Sequence, residues 1–397
     1  MPNFKTKKIT MPNFPTKFGD SEFLYIASSD KSEYLIKVSQ NGEEFFLQVR
    51  KKGDVFLVKG EKISRPSQVV FLQQALRDFR DLCKCEVLFS NIEPQKMKNK
   101  KRYRVLKDID FFTREFKQDR EIWIEVGFGS GRHLLHQAKQ HPDIEFIGIE
   151  IHKPSLEQVA KLCDIESIDN VYLLDFDARI FLEFLKSNSV GKIFVHFPVP
   201  WDKKPQRRVI SHEFISESIR VLKIEGKLEI RTDSDRYFEY CLEEFVKFKK
   251  TDLSIHKNQD LDISSKYEDR WKSQEKDIYD VIMTNHEESN AKHKIKKISF
   301  DVFYHFNMIR DNFINITKQD RDSFLHVEDI FTINEDEGML KISFGASAKN
   351  ERAYVVFLRE RVRYFPDNIL ETKANKRAHN LLNDWLGEIA NQRTAHE

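Results

Sequence analysis

Apolar and polar positions along this chain keep two different periods, and the places where the period changes divide it into regions. Between Phe23 and Lys59 short apolar runs, FLYI, YLIKVS, EEFFLQVR and VFLV, are punctuated by Asn41-Gly42 and Gly53-Asp54. Runs of β-branched and aromatic residues closed by such pairs predict strands joined by hairpin turns, here an antiparallel meander. After Pro66 the spacing changes, with Val69, Leu72, Leu76, Phe79 and Leu82 recurring at three- and four-residue steps; that is one face of a helix. Residues 21–95 therefore read as a small domain of meander plus helix. An extended, flexible tail over residues 1–20, which repeats MPNF at Met1 and Met11, precedes it, and a basic linker over 96–108 follows.

Over residues 109–288 the pattern becomes an alternation, with strand-like runs at 122–126, 144–150, 171–174, 193–196, 227–232 and 278–283 separated by helical spacings. Such alternation predicts an α/β, Rossmann-like parallel sheet with right-handed crossovers and helices on both faces. Functional residues in that architecture sit just past the carboxyl ends of the strands, near the point where strand order reverses. Residues 289–397 return to β character in GMLKISFGA and AYVVFL and end in a helical pattern over 373–389. They predict a C-terminal α+β domain. Both flanks read as sheet then helix, but they share no residue-level match, so no internal duplication is expected.

Composition narrows the class. The chain has 397 residues, a third of them charged, and no apolar run long enough to span a membrane. Its first residues, MPNFKTKKIT, have no apolar stretch behind the basic ones, so no signal peptide is read and a cytoplasmic protein is expected. Cys83 and Cys85 form a CxC with no second pair, while Cys163 and Cys241 lie in helical patterns. Buried thiols are expected, with neither disulfides nor a metal. The net charge of +2 does not by itself call for a nucleic-acid partner, but the positive charge is clustered in KMKNKKRYR (96–104), KKPQRR (203–208) and KHKIKK (292–297). One such run is ordinarily a solvated face; three in or beside one domain point to a polyanion.

The chemistry centres on EVGFGSG, residues 125–131. Gly127, Gly129 and Gly131 follow a short apolar strand, as in a nucleotide-binding loop, but the third glycine comes one residue earlier than in the dinucleotide fingerprint. Glu125 precedes the loop, and a carboxylate at a strand end suits a ligand carrying an ammonium, as S-adenosylmethionine does. Glu150 closes the next strand and can accept ribose hydroxyls. Asp177-Ala178 after the third strand offers a carboxylate to the adenine amino group, or simply a helix N-cap. The fourth strand runs into HFPVPWDKKPQRR, residues 196–208. There Pro198 and Pro200 stiffen the backbone, Trp201 offers a stacking face, and Lys203, Lys204, Arg207 and Arg208 offer phosphate contacts, the combination used by RNA-binding surfaces. Asp233 in RTDSD and Glu268 in SKYEDRW bring carboxylates that can accept the donors of a guanine edge.

Taken in order, EVGFGSG, FIGIEIHKPS, the FPxPWxKK loop, Thr232-Asp233 and Tyr267-Glu268 closely resemble the bacterial single-chain tRNA (guanine-N7)-methyltransferases, here in a form extended at both ends. The match spans residues 109–285, and several separate motifs in the right order make it specific. The resemblance implies a seven-stranded methyltransferase fold, S-adenosylmethionine as methyl donor and a guanine in the variable loop of tRNA as acceptor. Carried over by position, it implies that Glu125, Glu150 and Asp177 bind the donor and that Lys203, Asp233 and Glu268 bind tRNA. This chain departs from the family loop NFPDPW at two places: His196 stands for the Asn, and Val199 for the Asp usually assigned to catalysis. Asp233 or Glu268 is the expected substitute. Two rival readings stay open, a catalytically silent module that binds tRNA and S-adenosylmethionine, and a methyltransferase acting on another RNA or on a protein. Partners of the flanks and the oligomeric state are not legible.

Overall fold

The computed structural model describes residues 2–92, 103–260, 263, 276–291, 295, 297–346, 349–358 and 361–391. Most of the basic runs 96–104 and 292–297, and all of Tyr267-Glu268, lie outside the described residues. The chain forms two compact units, one of Asn99–Lys294 and one that combines Met1–Lys98 with Ile295–Glu397.

The first unit is built on an eight-stranded sheet in the order Thr251–Lys257, Tyr279–Asn285, Leu222–Thr232, Val190–His196, Ile122–Val126, Glu145–Ile149, Val171–Leu174, Leu106–Lys107. Its inner strands are apolar on both faces, all five residues of Ile122–Val126 being buried, because helices cover the sheet on either side. Strand order reverses between Ile122–Val126 and Val190–His196, whose carboxyl ends carry the glycine loop and the proline-rich loop. The sheet is not wholly parallel as expected: Tyr279–Asn285 runs antiparallel to both neighbours. It is reached from Thr251–Lys257, a strand that the apolar pattern does not reveal because most of its residues are exposed.

The second unit corrects the expected division into two flanking domains. Ser21–Ser29, Glu33–Gln40, Glu43–Lys52 and Val55–Gly60 form one meander, followed by the helix Val69–Leu82. Ser323–Thr332, Gly338–Ala346, Lys349–Leu358 and Arg361–Phe365 form another, followed by the helix Lys373–Asn391. The first strands of the two meanders pair antiparallel at Thr332 and Ser28, which joins them in a single twelve-stranded sheet. Each meander has its own core beneath its own helix, and a third cluster unites them. Ala27, Leu35 and Phe46 from one pack against Phe331, Met339, Tyr354, Val356 and Phe365 from the other. Burying one such large apolar side chain contributes roughly 1.5–3 kcal/mol, so the shared cluster holds the halves together far more strongly than one strand contact. The architecture of meander plus helix is therefore present twice, without the sequence match that would have announced it.

The expected tail over residues 1–20 is not free over its described part, 2–20, either. Asn3–Thr6 is a strand between Val55–Gly60 and Val87–Ser90, and Phe4 is fully buried among Phe79, Val58 and their neighbours. One apolar residue between polar ones carries no periodic signal, and the partner strand lies some fifty residues on. No helix among the described residues is long and apolar enough to cross a membrane.

Candidate functional site

The glycine loop joins the strand Ile122–Val126 to the helix Arg132–Gln140. Gly127, Gly129 and Gly131 all take left-handed backbone angles, φ 72°, 52° and 72°, which side chains with a Cβ rarely adopt. Gly131 caps the helix Arg132–Gln140, and a Cβ there would stand 2.5 Å from Val159 Cγ2, so both conformation and packing require glycine. Around Gly127, by contrast, an added Cβ would meet nothing within 4 Å. The loop is shaped by its own chain and open on its outer side.

Two acids stand at this loop, one bonded to its backbone and one to the helix that follows. Glu150 accepts the backbone N–H of Gly129 through Oε2 at 3.0 Å, and those of Ile151 and His152 through Oε1 at 2.8 and 2.9 Å. A carboxylate has about four acceptor sites, so it can brace the loop and still meet a ligand hydroxyl. Glu125 is only 4 % exposed, and its Oε2 lies 2.8 Å from Nδ1 of His133 on the following helix. Burial alone would lower the His133 pKa, but the charge and hydrogen bond of Glu125 outweigh it and raise the pKa above the ordinary value. His133 carried no signal of its own in the sequence; the clue was that a buried strand-end acid needs a cationic partner.

Asp177 takes the N-cap position, its Oδ1 accepting the Arg179 backbone N–H at 3.0 Å, and its carboxylate grips the Arg179 side chain at 2.7 to 3.0 Å. Ala178 is buried beside it. Arg179 Nη1 also donates to the Gln206 carbonyl at 3.3 Å, which ties the third strand end to the proline-rich loop.

That loop is held in an unusual shape. Phe197 and Trp201 both have left-handed φ, 50° and 46°, a conformation costing roughly 1–2 kcal/mol in a residue with a side chain. Trp201 is exposed, with the Arg207 guanidinium 5.1 Å from its ring centroid, and Lys203 and Lys204 are exposed as well. Arg208 does not join them, contrary to expectation. Its side chain is 11 % exposed, its Nε donates to the Pro200 carbonyl at 2.8 Å, and its guanidinium lies 4.2 Å from the Tyr240 ring centroid. It anchors the loop from inside. Val199 is 60 % exposed at the position of the family carboxylate. Asp233, half-buried at the next strand end, accepts from Lys276 Nζ at 3.0 Å; Glu268 lies outside the described residues.

Polar groups continue down the sheet face beneath the loop. His196 faces His133 with ring centroids 4.6 Å apart; burial, then the charges of His133 and Arg231, push its pKa well below the ordinary value. Arg231, buried, donates twice to Asp280 at 2.9 and 3.0 Å and once to the Gln259 carbonyl at 2.7 Å. A cavity of about 150 Å³ opens onto His133, Lys192, His196, Glu229 and Asp280. None of this inner polar layer except His196 was singled out in the sequence. Among the described residues no group of three or more His, Cys, Asp or Glu is placed to hold a metal ion.

A family described as "Putative methyltransferase" matches residues 119–281, nearly the whole eight-stranded unit. The chain is 43 % identical over 365 residues to the tRNA (guanine-N(7)-)-methyltransferase of Campylobacter jejuni, covering 89 % of this chain and 91 % of that one. It is 40 % identical over 333 residues to the enzyme of the same name from Wolinella succinogenes, covering 83 % and 84 %. The Helicobacter hepaticus protein of that name is 35 % identical over 398 residues, covering 96 % and 98 %. These matches run far beyond residues 119–281, so the relatives share the flanking unit as well as the methyltransferase core. With 35 % to 43 % identity sustained over most of both chains, this protein belongs to the tRNA (guanine-N(7)-)-methyltransferase family.

Proposed function

We propose that the protein transfers a methyl group from S-adenosylmethionine to N7 of a guanine in tRNA, within the variable loop. The observation that carries the reading is the glycine loop, braced by Glu150 through the Gly129 amide and open outside Gly127, in a chain of this family. A ligand backbone fits where a Cβ would have room, and Glu150 keeps acceptor capacity for a ribose. Bound there, the donor supplies a sulfonium methyl as electrophile. Glu125 is bonded to His133 and nearly closed to solvent, so its pull on the donor ammonium is electrostatic, from beneath the loop. Asp177 and Ala178 form the adenine end.

The acceptor side needs orientation more than acid–base chemistry. Guanine N7 has a lone pair and no proton, so its bond to the methyl forms as the carbon–sulfur bond breaks, and the sulfur keeps the electron pair. Positioning and electrostatics supply the catalysis. Lys203 and Arg207 meet phosphates, Trp201 stacks, and Asp233 and Glu268 accept from the guanine edge and offset the charge that develops on the ring. Val199 favours one alternative, a module that binds both partners without transferring the methyl. Incubating the protein with unmodified tRNA and methyl-labelled donor, then mapping the label, decides between them. Label in 7-methylguanosine is expected. Its absence with binding intact would establish the silent module, and label only in another RNA or a protein would replace the substrate.

A further inference from the structure

We propose that the flanking unit carries an RNA platform of its own, on the face of its sheet opposite the helix Val69–Leu82, centred on Lys5, Leu57, Lys59 and Phe89. The proposal rests on the reading of tRNA as substrate and extends it to a surface outside the methyltransferase core.

Side chains alternate across a strand, so the register decides which residues share this face. Phe4, Val49 and Val58 pack under the helix with Leu72 and Phe79. Their neighbours therefore face the other way. One row runs Phe89, Lys5, Leu57, Arg50, Glu33 across five strands, and the next sets Asn3, Lys59 and Gln48 side by side. Lys5 and Phe89 are exposed, Leu57, Lys59 and Arg50 half-buried.

Beyond Gln48 the second row continues into Leu35, which is buried in the cluster that the two meanders share, so the open part of this face is the end around Phe89, Lys5, Leu57 and Lys59. A polar outer face is ordinary for an antiparallel sheet, but two features here are not. Phe89 is 49 % exposed and Leu88 52 % on Val87–Ser90, the last strand of the sheet, where natural edges are usually blunted by charge or proline. Cations also crowd the face. Burial, then the neighbouring Arg50 and Lys62, lower the Lys59 pKa, while the acid of this row, Glu33, is already held by Arg50 at 2.6 Å and by Gln48. An exposed ring on the edge strand with Lys5 beside it and Lys59 two strands further in, adjacent strands lying about 5 Å apart, matches an unpaired RNA segment, one base stacking on Phe89 while phosphates meet Lys5 and Lys59. An acidic peptide would satisfy the cations and leave the ring without purpose.

The test uses the full chain and measures tRNA affinity across a salt series. Lys5→Ala/Lys59→Ala should make the slope of log affinity against log salt shallower by about 1.4 to 1.8, two phosphate contacts' worth, and Lys5→Arg/Lys59→Arg should restore it. Phe89→Ala should weaken affinity about 5- to 150-fold. Donor affinity, and turnover at saturating tRNA, should stay at the wild-type level in all three. Wild-type slope and affinity in the alanine variants overturn the platform. So does a polyglutamate peptide, rather than RNA, as the ligand whose binding depends on these residues. Wild-type protein that binds tRNA through this face but methylates none would leave the platform standing and sink the proposed activity.

Discussion

Glu150 and Glu125 share a residue type and a place at a strand end, yet the structure separates them. Glu150 is half-buried and accepts three backbone amides, so Glu150→Ala should weaken donor binding by about 1.5–3 kcal/mol, the scale of charged hydrogen bonds. Calorimetric titration with the donor checks this, and unaltered affinity would remove Glu150 from the ribose. His196 makes a different prediction. Its lowered pKa means that the fold keeps it neutral, so its contribution to stability is complete above the ordinary histidine value of about 6.5. It is lost as pH falls from there toward the lowered folded value, at up to about 1.4 kcal/mol per pH unit. His133, with its raised pKa, acts in the opposite window: its contribution is complete below about 6.5 and is lost as pH rises through the folded value. Urea unfolding of wild type and His196→Asn at pH 5 and 7.5 should therefore show the variant gaining on wild type at the acid end; an equal gap at both pH values refutes the buried neutral state. Glu125, Glu150 and the glycines were legible from spacing, whereas His133 and Asp280 were not, because what defines them is a contact and no local pattern.

Among the elements, the proline-rich loop shows what composition conveys and what it hides. Its cations were plain in the sequence, but Arg207 and Arg208 are adjacent and face opposite fates, one over Trp201 and the other tucked against Tyr240. Exposed Lys203 should be a phosphate contact, so Lys203→Ala should lower tRNA affinity and flatten its salt dependence by about one unit of slope. Filter binding across a salt series measures this, and an unchanged slope would take the lysine off the phosphate. Arg208→Ala should instead destabilise the fold, seen as a lower melting temperature before any change in that slope. The strands were legible wherever burial on both faces made them continuously apolar, as in Ile122–Val126 and Val171–Leu174. Thr251–Lys257 escaped notice because an edge strand facing water need not be apolar.

For the whole molecule, the misleading cue was linear order. Two segments separated by the methyltransferase core read as two domains, since nothing local announces that Ser28 will pair with Thr332 or that Phe46 will pack between Tyr354 and Phe365. Residues 99–294 produced alone should bind S-adenosylmethionine as the full chain does, while deletion of residues 1–98 should uncover Phe331, Met339, Tyr354, Val356 and Phe365 of the shared cluster and drive aggregation. Donor titration and light scattering test the two halves of that statement, and a monodisperse deletion protein would mean that the C-terminal half needs no partner. The shared cluster also sets a timetable. On the ribosome the first meander is complete long before its counterpart exists, and at about 5–20 residues per second the intervening stretch takes on the order of 10–40 s to emerge. For that interval Ala27, Leu35 and Phe46 lack the cover of Phe331, Met339, Tyr354, Val356 and Phe365, and the nascent chain must either be shielded by a chaperone or keep this half loosely folded until its last strands arrive.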